Sequence, residues 1–76
     1  MEALQWKADI DHYETKIAPF IRTHGLKFYH GLNWKFELND SRGNFIKIVN
    51  PLEWICVENG YVFVLTDEEY QKVKGE

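Results

Sequence analysis

Cys56 and the three histidines, His12, His24 and His30, are the side chains best suited to hold a transition metal or carry nucleophilic chemistry. A closed structural zinc site needs four such ligands, usually as closely spaced pairs. The chain has no Cys-x-x-Cys and no His-x-x-x-His, and a helix end is expected between His24 and His30. No metal or other cofactor is therefore expected. A cysteine nucleophile needs a histidine base and surroundings that lower the thiol pKa. Cys56 instead stands between Ile55 and Val57 in an apolar run, where a small buried hydrophobe is the ordinary role. His12, between Asp11 and Tyr13, reads as a solvated helix residue.

The carboxylates Asp9 and Asp11 are two apart and do not face one another on a helix, which weakens an acid–base pair. Ser41 lies in a turn without a nucleophile elbow, and no glycine-rich phosphate cradle is present. The expectation is a protein that is not an enzyme.

Two other sets of residues suggest binding. Between Ile48 and Gln71 there are five acids, Glu53, Glu58, Asp67, Glu68 and Glu69, and no lysine or arginine. Such a segment could present one negative face to a basic surface on a protein partner. Part of it has a local explanation, because acids favour the first turn of a helix. The second set is aromatic: Trp34, Phe36 and Trp54 could stack single-stranded bases if they share a sheet face. Against this, the chain has a net charge of −3, and a domain of 76 residues needs its aromatics for its core. Direct nucleic-acid binding is thus the alternative to protein binding.

The elements that must position these residues follow from periodicity. Trp6, Ile10, Tyr13, Ile17 and Phe20 recur at helical spacing, predicting an amphipathic helix over about residues 2–24. Pro19 should kink or break it near Ala18, and Gly25 should end it. From Leu26 the period becomes two. Trp34, Phe36 and Leu38 alternate with Lys35 and Glu37, and the turn cluster at residues 39–44 joins that strand to Phe45–Val49. Asn59-Gly60 then predicts a tight hairpin between two further strands. Thr66-Asp67-Glu68-Glu69 is a capping box, opening a short helix over about 67–74 anchored by Tyr70 and Val73.

The expected fold is α+β, a single domain over 1–76. An N-terminal amphipathic helix packs on a four- or five-stranded antiparallel sheet built from about residues 26–65, and a short helix closes the C-terminus. Both faces of the last hairpin are apolar, so a sheet covered on one side would leave the other bare. That predicts a homodimer or a protein partner.

No apolar run approaches the roughly 20 residues that span a bilayer. The opening residues lack a secretory pattern, and one cysteine cannot form an internal disulfide, so a cytoplasmic location is expected. Size and acidity together resemble those of inhibitors and adaptors, including ones from viruses and other mobile elements.

Overall fold

The computed structural model describes residues 1–75. The order of elements is β1 (Glu2–Gln5), an N-terminal-half helix (residues 10–23), β2 (Lys27–His30), β3 (Phe36–Asn39), β4 (Phe45–Val49), β5 (Trp54–Glu58), β6 (Tyr61–Leu65) and a C-terminal helix (Asp67–Lys74). The class is α+β, with antiparallel strands throughout.

Two expectations are corrected. The strands form two three-stranded sheets, β1-β5-β6 and β2-β3-β4, in place of one four- or five-stranded sheet. The helix does not begin the chain: Glu2–Gln5 is a strand, paired Ala3 to Cys56 and Leu4 to Ile55. Pairing with β5 wins over helical spacing because it satisfies this segment's backbone while seating Leu4 against the core. The backbone N–H of Trp6 extends the contact by donating to Glu53 O at 2.9 Å. Trp6 thus leaves the helical stripe, yet it is buried all the same.

Asp9 starts the helix, its carboxylate accepting from the backbone N–H groups of Asp11 and His12. Ile10, counted in the apolar stripe, is 60% exposed. The middle of the helix, Tyr13–Ile17, is a π-helical turn in which the Ala18 N–H donates to Tyr13 O. That wider turn directly precedes Pro19, whose ring and missing N–H would spoil a regular α-helical register. At the other end Gly25 has φ +68°, Gly25 N–H donates to Arg22 O, and Leu26 N–H donates to Ile21 O, a complete Schellman closure.

Helix residues Ile17 and Ile21 meet Phe36 and Leu38 of β3, Val49 of β4, Ile55 of β5 and Val64 of β6 in one buried cluster. β4 lies against β6, so the two sheets and the helix share this core. The C-terminal helix starts at the expected capping box, with Thr66 Oγ1 accepting from Glu69 N–H and Glu69 Oε1 accepting from Thr66 N–H. Tyr70 anchors it by stacking on Trp54, centroids 3.8 Å apart and planes 10° apart. Val73, the other expected anchor, is half exposed.

That stack bears on the expected bare face of the last hairpin. Ile55 and Cys56 point to opposite sides of β5, and both are fully buried. The chain's own C-terminal helix reaches the Trp54 side of that sheet, so β5 has cover on both faces. Among the described residues no helix is long and apolar enough to cross a membrane.

Candidate functional site

Four of the five acids are engaged within the chain. Glu53 Oε1 accepts from the Asn50 backbone N–H at 2.7 Å and from its side-chain amide at 3.0 Å. Asp67 accepts from the Trp54 indole N–H at 2.9 Å and from the side-chain amides of Gln5 and Gln71. Glu68 lies 3.7 Å from Lys72, and Glu69 closes the capping box. Glu58 stands exposed at the tip of the last hairpin. Hydrogen bonds from Thr66, first from its backbone N–H, hold the Glu69 carboxyl below its ordinary pKa.

The aromatic trio is not brought together. Phe36 is buried, its ring 5.6 Å from Trp6 in the core. Trp54 lies under Tyr70. Trp34, expected on the same strand face as Phe36, sits outside β3 in the loop that precedes it.

No cluster of three or more metal-ligating side chains occurs among the described residues. His24 lies 3.1 Å from Glu2, joining the helix end to β1. His12 packs near Trp6, and burial, followed by the charge of Lys7, lowers its pKa. Burial pushes the Cys56 thiol up, away from the thiolate a nucleophile requires.

The feature with site-like geometry is a cleft of about 650 Å³ between the helix and the loop at residues 31–35. Its walls include Trp6, Tyr13, His30 and Trp34, with Glu14 and Lys35 as its ionic groups. Tyr13 packs edge-on against Phe28, centroids 5.0 Å apart, and burial pushes its hydroxyl pKa up to about 12. The loop closes on itself: Gly31 N–H donates to Lys35 O at 2.9 Å and Lys35 N–H donates to Leu32 O at 3.2 Å. A Cβ at Gly31 would lie 3.3 Å from Lys35 O, so glycine permits this closure.

Inside the loop, Asn33 and Trp34 both adopt left-handed backbone, φ +59° and +63°. For a bulky residue that costs about 1–2 kcal/mol. A hydrogen bond from the Trp6 indole N–H to Trp34 O helps to offset it. The outcome is two large apolar side chains held outward, Leu32 at 85% and Trp34 at 53% exposure. A cleft of this volume, with aromatic walls and with Glu14, His30, Asn33 and Lys35 also in its lining, can take a small ligand or an anchoring side chain from another protein.

The periodicity of Trp34-Lys35-Phe36 concealed this site. One signal pointed to it: Gly31-Leu32-Asn33-Trp34 places two large apolar residues in a segment with turn composition, where polar side chains are usual. No family model, curated protein or solved structure matches the chain.

Proposed function

We propose that the chain is a non-enzymatic protein-interaction module of the inhibitor or adaptor type, acting through the cleft and loop at residues 31–35. The observation that carries this reading is the outward presentation of Leu32 and Trp34 beside an aromatic cleft, on a loop in which Asn33 and Trp34 hold left-handed backbone. Aromatic and apolar anchors of this kind dominate the energetics of protein interfaces. The buried, weakly acidic thiol of Cys56 supports the non-enzymatic part of the reading. One unpaired cysteine fits a reducing compartment, and we assign the protein to the cytoplasm on that ground.

Sequence alone favours a different contact surface, an acidic face on Glu53, Glu58, Asp67, Glu68 and Glu69 meeting a basic partner. The cleft is the better candidate because most of those carboxylates already serve bonds within the chain. Site-specific photo-cross-linking in a lysate of the source organism separates the two surfaces. A photoreactive residue replacing Leu32 is expected to capture a partner, or a second copy of the chain, that the same residue at Glu58 or Tyr61 does not. Capture from Glu58 and not from position 32 would return the contact to the acidic segment.

A further inference from the structure

β2 is an open edge. It pairs only with β3, and among the described residues no backbone hydrogen bond outside that ladder involves Lys27–His30. Edge strands with unpaired N–H and C=O groups template the addition of another strand, and folds commonly cover or blunt them. The edge here is left available, and both of its ends open into clefts. At the Lys27 end a depression of about 320 Å³ is walled by Ile21, Leu26 and Phe28, with Arg22 and Lys27 beside it. Beyond the His30 end lies the aromatic cleft of about 650 Å³ beneath Trp34, with Lys35 in its wall. The two are separated by the length of β2, about 13 Å for four residues.

Charge around this edge departs from that of the chain. Arg22, Lys27 and Lys35 line the two clefts and are exposed, against one exposed acid, Glu14. The chain as a whole carries −3. Glu37, on the neighbouring strand, accepts from the Asn39 side chain.

We propose that the partner is engaged by strand addition: an extended segment carrying both apolar and acidic residues pairs with the edge of β2. Its main chain bonds the free N–H and C=O groups of Lys27–His30. Its apolar side chains enter the two clefts, and its carboxylates meet Arg22 and Lys35 at the cleft walls and Lys27 on the strand edge itself. This rests on the interaction-module reading above and adds to it the chemistry of the partner.

Selection of a random octapeptide display library against the full chain tests it, followed by titration of the winning synthetic peptides into isotope-labelled protein. The expected result is enrichment of acidic–apolar sequences without proline that shift and protect the amides of residues 27–31. N-methylation of the alternate peptide amides that face β2 should abolish binding, because it removes the added strand's N–H donors to that edge. The exposed pair R22E and K27E together should weaken binding by about fivefold or more at low salt, with amide spectra elsewhere unchanged.

Failure to enrich any peptide, enrichment of basic or proline-rich sequences, or binding insensitive to N-methylation would each overturn the proposal. Peptides that depend on Leu32 and Trp34 yet leave the β2 amides unshifted overturn strand addition while retaining the cleft. Cross-linking from Glu58 in place of Leu32 removes the cleft itself.

Discussion

Trp34 holds a backbone conformation that glycine accepts freely and tryptophan does not, with φ +63°. If its side chain serves recognition and not folding, relieving the strain should preserve stability while removing the contact. Trp34→Gly is expected to stay within about 1 kcal/mol of wild type and to be more stable than Trp34→Ala, since alanine retains the left-handed penalty. Denaturant unfolding of wild type and both variants measures this, and a loss well above about 1 kcal/mol in both variants would assign the ring a packing role. Trp6 acts on the same loop from the core. Trp6→Phe keeps most of the buried ring but removes the indole donor to Trp34 O, for an expected loss of about 1–2 kcal/mol. Amide exchange at Gly31 and Lys35, whose N–H groups close the loop, should quicken in that variant.

Helix and turn ends were legible because each is closed by atoms a few residues away. Gly25 N–H closes its helix on Arg22 O and Leu26 N–H on Ile21 O, and Asn59 and Gly60 take the paired positive φ values, +51° and +82°, of a tight hairpin turn. The same locality makes the C-terminal helix testable. Thr66→Ala should cost about 1 kcal/mol by removing the side-chain acceptor for Glu69 N–H. Its reciprocal partner adds a pH dependence. Bonds to Thr66 depress the folded-state pKa of Glu69 below its ordinary 4.5, so the unfolded chain binds the proton more readily. Asp40 behaves alike: bonds led by the Asn44 backbone N–H lower its carboxyl below 3.8. Their contribution is therefore complete above about pH 4.5 and is lost as pH falls through the lowered values. Urea midpoints between pH 6 and pH 2.5 should decline, and in Thr66→Ala less steeply. The N-terminal helix boundary was misread for a related reason. The spacing from Trp6 to Ile10 fits a helix as well as the spacings after it, yet Asp9 caps the helix and Glu2–Gln5 pairs with β5.

At the scale of the molecule, stability rests on one small core that both sheets share. Ile55 of the β1-β5-β6 sheet is fully buried in the cluster that holds Phe36, Leu38 and Val49 of the other sheet. Ile55→Ala should cost about 2–5 kcal/mol, a large part of what a domain of this size possesses. Amide exchange in β3 and β4 should rise together with that in β5 and β6. Loosening confined to the mutated sheet would instead show two units folding separately. The candidate site belongs to this scale too. Its cleft exists because the helix, Trp6 and the loop before β3 converge, and none of these is adjacent in sequence to all the others.

Composition, charge, the Asn-Gly turn, the Schellman glycine and the capping box were determined by the sequence itself. Each depends on local sterics, on hydrogen bonds within about five residues, or on the residue count. The tertiary structure decided three things that periodicity could not. Residues 2–5 became a strand because β5, about fifty residues on, offered backbone partners. The strands divided into two sheets because β4 meets β6 without joining its ladder. Trp34 left the strand pattern of Phe36 and Leu38 because its carbonyl is held by an indole 28 residues away. Long-range hydrogen bonds of this kind leave no local trace in composition, and here they separate a stacking platform imagined on one sheet face from a cleft beside an open strand edge.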